Sequence, residues 1–191
     1  MKLPSLILAS ASPRRAELLG YLGVDFIVIP SDADETADGH LTPEETCLLN
    51  AYRKARAVAK KHPDRIVLGA DTIVCLGTTV FGKPASLAAA RRTLSALQGA
   101  AHLVITGMCL IHLDSHRERV FAETTRVSFR ELSVQQIDRY LDSIDPMDKA
   151  GAYAIQDHGE MIVEQVSGSF TNVVGLPLGR LKKELERWLA M

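Results

Sequence analysis

The sequence predicts an α/β or mixed α+β fold, two lobes around one sheet. Three observations point there. Short apolar runs of strand length alternate with segments of helical periodicity throughout. Helix starts carry cap signatures, at Ser12-Pro13, at Thr42-Pro43-Glu44-Glu45 and at Ser133 with Gln136. There is no internal repeat, low-complexity tract or flexible linker, so residues 1–191 are expected to form a single domain.

The elements follow in order. Leu6–Ala9 and Phe26–Ile29 read as strands around a helix whose N-cap is Ser12 and whose first residue is Pro13. Ser31–His40 is acidic and reads as a loop, with Asp32, Asp34, Glu35 and Asp38. After the Thr42 capping box, Leu48, Ala51, Ala55 and Val58 mark the buried face of a second helix. Lys54 sits at the border of that face, where a lysine lays its stem on the core and extends its ammonium; Arg53 and Arg56 point to solvent. Ile66–Leu76 reads as a strand pair interrupted by Gly69-Ala70-Asp71-Thr72, and Gly82-Lys83-Pro84 as a turn. Leu87, Ala90, Leu94 and Leu97 predict a helix that stops near Gly99. Leu103–Leu113 and Val120–Phe129 are long strands. Val134, Ile137, Leu141 and Ile144 then repeat at helical spacing. Ala152–Ile155 and Met161–Val166 read as short strands joined through Asp157–Glu160. A polar loop and apolar turn, Ser167–Leu178, lead into a last helix with Leu181, Leu185, Trp188 and Leu189 inward.

Composition excludes several functions. A net charge of −1 leaves no overall basic field for polymeric nucleic acid or a membrane surface, so an anion site must be a local cluster of Lys and Arg. No apolar run reaches the roughly 18 residues of a membrane span, and the N-terminus lacks a signal-peptide pattern. Cys47, Cys75 and Cys109 are scattered, with no C-x-x-C pair. They read as buried free thiols of a cytoplasmic protein. His112 and His116 read as part of a surface turn rather than a metal site.

The residues that can carry chemistry are few. A helix starting at Ser12-Pro13 directs its first N–H groups outward beside Arg14 and Arg15, an arrangement suited to phosphate; a solvated arginine pair on a strand-to-helix turn is the alternative. Asp71 lies in an apolar run, where a carboxylate needs a partner, as a capped turn or a functional acid at a strand end. Glu35 alone reads as one acid of a solvated loop, and Lys83 serves equally as a surface lysine or a ligand contact in a Gly-Lys-Pro turn. In Asp148–Gln156, small residues surround Tyr153; Gln156 suits a base edge, and a tightly packed turn accounts for the same pattern. Together the arginines, lysines, carboxylates, hydroxyls and amide make the set that a nucleoside triphosphate site needs. No P-loop, G-x-S-x-G or Cys/His nucleophile pattern is present.

These motifs in this order resemble the Maf proteins, nucleoside triphosphate pyrophosphatases once described as septum-formation inhibitors. The resemblance runs from Leu6 to Leu178. It rests on Ser10–Leu19, Lys54-Ala55, Gly69–Val74, Gly82-Lys83-Pro84, Thr106-Gly107, Asp148–Tyr153 with Gln156, and Gly168–Leu178. It implies a fold related to the inosine-triphosphate pyrophosphatases: a central mixed sheet with flanking helices, two lobes around a cleft. It also implies a homodimer and a divalent cation, Mg²⁺ or Mn²⁺. The Asp148–Gln156 stretch resembles the dTTP- and UTP-hydrolysing branch. Alternatives are a house-cleaning enzyme for other nucleotides such as 7-methyl-GTP, or a regulatory binding protein in cell division. The resemblance makes Asp71 the general base, places the cation on Glu35 and Asp71, and has Ser10, Arg14, Arg15, Lys54 and Lys83 grip the triphosphate. Arg14, Thr72 and Gln156 would set base preference.

Overall fold

The computed structural model describes residues 5–36 and 39–190; Asp38 of the acidic loop lies outside them. Strands β1 (Leu6–Leu8), β2 (Phe26–Val28), β3 (Ile66–Leu76), β4 (Thr79–Phe81), β5 (Ala101–His112), β6 (Arg117–Phe129) and β7 (Val163–Ser167) form one mixed sheet. The order is β2-β1-β3-β5-β6-β7, with β4 on β3. Helices α1 (Pro13–Gly20), α2 (Pro43–Ala59), α3 (Leu87–Leu97), α4 (Val134–Ser143), α5 (Phe170–Val174) and α6 (Leu178–Ala190) flank it. The chain divides into two compact units, residues 1–71, 106–123 and 175–191, and residues 72–105 and 124–174. No helix of the described residues is long and apolar enough to cross a membrane.

In the first unit β1 is paired in parallel on both sides, Leu6 opposite Phe26 and Ile66. A strand covered on both faces needs an unbroken apolar run, and all three residues of β1 are buried. The Thr42–Glu45 capping box forms as expected: the Thr42 hydroxyl accepts from the Glu45 N–H, and the Glu45 carboxylate accepts from the Thr42 N–H. The buried face of α2 runs through Cys47, Ala51, Ala55 and Val58, while Leu48 is only half-buried. Small alanines let α2 lie close on Ile7, Ala9, Val67 and Ile111. Closeness reaches its limit at two glycines. A Cβ on Gly69 would sit 2.2 Å from the Ala51 carbonyl oxygen, and one on Gly107 would sit 2.5 Å from the Cys47 carbonyl oxygen. The expected interruption at Gly69–Thr72 is therefore corrected. β3 runs unbroken for 11 residues, and Gly69 marks a helix seat rather than a turn. On α6, Leu181, Leu185 and Trp188 are buried as expected, together with Glu184, which pairs with Arg119, Arg180 and Arg187.

In the second unit β3 and β4 make a hairpin, Leu76 opposite Thr79, with Gly77 at φ +59°. Leu94, Leu97, Val127, Phe129, Ile137, Tyr140 and Ile162 build the core. The Ser133–Gln136 capping box is present. The strand expected at Ala152–Ile155 is absent. Gly151 (φ +73°) and Ala152 (φ +61°) turn the backbone left-handed. The Tyr140 hydroxyl accepts from the Ala154 N–H and donates to the Ala154 carbonyl, satisfying that backbone without a ladder. The five-residue α5 replaces part of the expected loop and is too short to show a period. His102 is buried, its Nε2 2.9 Å from the Tyr153 hydroxyl, in edge-on contact with Phe129 and Tyr153. Cys47, Cys75 and Cys109 are buried free thiols, and His112 and His116 bracket the turn between β5 and β6.

Candidate active site

β1 ends at Leu8 while β3 continues, so the backbone of residues 70–71 runs past the end of its neighbour. α1 starts beside this gap with Ser12 at the N-cap and Pro13 at N1, as the sequence predicted, although the Ser12 side chain makes no cap bond. The Ser12 N–H donates instead to Ser10 Oγ at 3.3 Å. Arg15 fills the gap. Its Nη1 donates to Ser10 Oγ (3.2 Å) and to the Ala70 carbonyl (2.9 Å), and its Nε donates to the Gly175 carbonyl (2.9 Å). Burial pulls the Arg15 guanidinium below the ordinary arginine value, while Asp71 and Glu35 push it back up. A guanidinium stays charged through such a shift. Arg15 is thus a charged brace, and Arg14 lies half-buried next to it at the helix start.

One residue beyond Ala70 is the second cluster. Lys54 Nζ lies 2.7 Å from Asp71 Oδ1 and 2.6 Å from Glu35 Oε1. The side chain of Asp71 is 9% exposed and that of Lys54 13%, whereas Glu35 is 54% exposed. The inner pair is therefore desolvated and the outer carboxylate reaches water, which gives the cluster a dry side and an open side. Asp71 Oδ2 accepts from Asn50 Nδ2 at 3.1 Å, and the Cys47 thiol donates to the Asp71 carbonyl at 3.7 Å. The buried Asp71 thus has the partners its burial requires. Ser10, Arg15, Glu35, Lys54 and Asp71, drawn from four separate sequence segments, are brought together within the first unit.

Thr72, Lys83 and Gln156 belong to the second unit. Thr72 is half-buried in β3 directly after Asp71. Lys83 is exposed, and its ammonium has no partner among the described residues. The Gly151 N–H donates to the Gly82 carbonyl at 3.2 Å, which joins the Lys83 turn to the Asp148–Gln156 motif. In that motif Gln156 is exposed and Tyr153 is a core residue. Lys149 is a brace, donating to the Asp145 carbonyl and the Asp148 carboxylate. The tightly packed turn thus describes Tyr153.

Asn50 is the residue that reading the sequence missed. The signal was present: Thr46, Asn50 and Lys54 recur every four residues along α2, a polar stripe on a face otherwise read as apolar.

Among the described residues no group of three His, Cys, Asp or Glu side chains could hold a metal ion. The two carboxylates of the cluster are Glu35 and Asp71, both bonded to the Lys54 ammonium. That donor set fits Mg²⁺ or Mn²⁺ held partly by substrate phosphates and water, not a closed protein cage.

Comparison with known proteins bears on this site. The Maf-like protein family model matches residues 5–188. The dTTP/UTP pyrophosphatase of Bacillus anthracis (strain CDC 684 / NRRL 3495) is 44% identical over 183 residues, 96% of this chain and 95% of that protein. A protein of the same name from Syntrophus aciditrophicus (strain SB) is 45% identical over 181 residues, 95% of this chain and 88% of that one. Among solved structures, the Staphylococcus aureus Ham1 protein shares the fold at a TM-score of 0.52 and 16% identity, covering 96% of this chain and 98% of that one.

Proposed function

The chain belongs to the Maf family, and we propose that it hydrolyses dTTP and UTP to the monophosphate and pyrophosphate. The observation that carries the proposal is the Lys54 ammonium held by Glu35 and Asp71, one residue from the carbonyl that Arg15 grips. Relatives that align over nearly the whole chain and are named dTTP/UTP pyrophosphatase support the substrate.

In this reading Asp71 takes a proton from a water molecule. The water oxygen forms a bond to the α-phosphorus, the bond from that phosphorus to the bridging oxygen breaks, and pyrophosphate leaves with the electron pair. The bonds from Lys54 and Asn50 hold the Asp71 carboxylate in one orientation while leaving lone pairs on both oxygens for that water. Ser10, Arg14, Arg15, Lys54 and Lys83 bind phosphate oxygens, where fixed cations favour the more highly charged transition state. Glu35 and Asp71 would hold a divalent cation, which supplies charge neutralisation on the phosphates. Arg14, Thr72 and Gln156 select the base. We place the enzyme in the cytoplasm as a homodimer.

The test is pyrophosphate release from dTTP, UTP, CTP, ITP and 7-methyl-GTP with Mg²⁺ or Mn²⁺, beside Asp71→Asn with its fold checked by circular dichroism. Preference for dTTP and UTP, reduced about 10²–10⁴-fold in the folded variant, is the expected result. A preference for 7-methyl-GTP overturns the substrate. Full activity of Asp71→Asn overturns the base, and no release from any nucleotide overturns the activity.

A further inference from the structure

Asn50 is 3% exposed on a helix face that otherwise carries Cys47, Ala51 and Ala55. An amide is costly to bury unless its donors and acceptor are used. Its Oδ1 accepts from the Thr36 N–H at 2.8 Å, and its Nδ2 donates to the Thr36 carbonyl at 3.2 Å and to Asp71 Oδ2 at 3.1 Å. The two bonds to Thr36 imitate a strand pairing and fix the backbone next to Glu35. The third bond fixes the carboxylate of Asp71. One turn further along α2, Lys54 contacts the same two segments through the Glu35 and Asp71 side chains. The loop 31–36 has no regular secondary structure of its own, so its place depends on such ties.

We propose that Asn50 is a positioning residue of the hydrolytic site, its amide setting the spacing between Glu35 and Asp71 by tying the Thr36 backbone to the Asp71 carboxylate. This rests on the hydrolytic reading above. Asn50 brings no charge, so it fixes the two acids without competing with Lys54 or a cation for them. A leucine of similar size suits the same helix face but leaves Thr36 and Asp71 without these bonds. An aspartate keeps the shape and accepts from the Thr36 N–H, but it cannot donate to Asp71 and adds a third negative charge.

The experiment compares wild type, Asn50→Leu and Asn50→Asp, each also in a Glu35→Gln background. It measures kcat, KM for dTTP and the half-saturating Mn²⁺ concentration, with thermal midpoints to confirm folding. Outer residues that orient metal or catalytic groups are worth about 10–100-fold, so Asn50→Leu is expected to lower kcat by about that factor, with KM nearly unchanged and more Mn²⁺ required. The Asn50→Leu loss should shrink in Glu35→Gln, because one of the two groups being positioned is already gone while the bond to Asp71 is still lost. An unchanged kcat overturns the proposal and leaves Asn50 a packing residue; an undiminished loss in Glu35→Gln overturns the spacing of the two acids and leaves only the bond to Asp71. If wild type hydrolyses no nucleotide, the hydrolytic reading fails by itself. The positioning claim is then judged by Mn²⁺ binding, read by electron paramagnetic resonance: weaker binding in Asn50→Leu supports it, and unchanged or absent binding overturns it.

Discussion

Gly69→Ala should damage stability and turnover together, because the added methyl has no room. Its Cβ would lie 2.2 Å from the Ala51 carbonyl oxygen, 2.7 Å from the Ala55 amide nitrogen and 2.9 Å from the Ala55 Cβ. Two of these are backbone atoms of a capped helix, so no rotamer change relieves the clash. α2 must move off β3 by about 1 Å, and overpacking on that scale costs about 3 kcal/mol. For a chain of this size that lowers the melting temperature by about 6–12 °C. α2 carries Lys54 and Asn50, and β3 carries Asp71 two residues beyond the glycine, so the same displacement opens the 2.7 Å Lys54–Asp71 contact. A misplacement of about 1 Å can cost about 100-fold in rate. Urea unfolding and pyrophosphate release from dTTP measure the two effects. Gly179→Ala is the control: its Cβ meets nothing within 4 Å, and alanine in a helix is worth up to about 1 kcal/mol over glycine. A Gly69→Ala protein with wild-type stability and rate would refute the reasoning that α2 is seated by this glycine.

Lys83→Ala should leave the urea midpoint nearly unchanged, since the exposed ammonium has no partner among the described residues, while lowering turnover of dTTP; a stability loss above about 1 kcal/mol contradicts the first half. Burial pushes the Glu184 carboxyl up, but the hydrogen bond from Arg119 and the charges of Arg119, Arg180 and Arg187 outweigh it, and the net direction is down. A carboxyl held low contributes stability above its unfolded pKa of about 4.3 and loses it as pH falls through the lower folded value. The urea-midpoint gap between wild type and Glu184→Gln should therefore be full at pH 7 and shrink below about pH 4; a gap that widens in acid refutes this. Burial lowers the His102 pKa to about 4, so its imidazole resonances should stay nearly fixed from pH 7.5 to 5. That shift also removes stability as pH falls from about 6.5, where the unfolded chain takes up the proton and the folded one does not. His102→Phe should lessen that acid sensitivity in urea titrations.

Much of the framework was legible in the residues because it rests on local chemistry. The capping boxes at Thr42 and Ser133, the stop at Gly99 and the short apolar β1 each follow from interactions within a few positions. Lys54 was legible as a lysine at the border of a buried stripe. What was not legible depends on distant partners. Gly69 looks like a turn until α2 is laid across it, and Ala152–Ile155 looks like a strand until the Tyr140 hydroxyl takes up its backbone groups. Asn50 sits in an apolar stripe for reasons supplied by Thr36 and Asp71. Arg15 reads as an anion contact, and only the fold reveals that it also grips the carbonyls of Ala70 and Gly175.

That last grip bears on how the protein is made. Arg15 and Gly175 are 160 positions apart in the chain, yet they share one hydrogen bond. Ser10, Arg15, Glu35, Lys54 and Asp71 all leave the ribosome well before residue 175, but the brace that steadies the arginine waits for that carbonyl. A nascent chain halted before Gly175 carries the acids and the bases without this anchor. Contacts of such long sequence separation also form late in folding. Competence toward a nucleotide is therefore expected to arrive in one step once Gly175 has been made, rather than to grow as the chain lengthens.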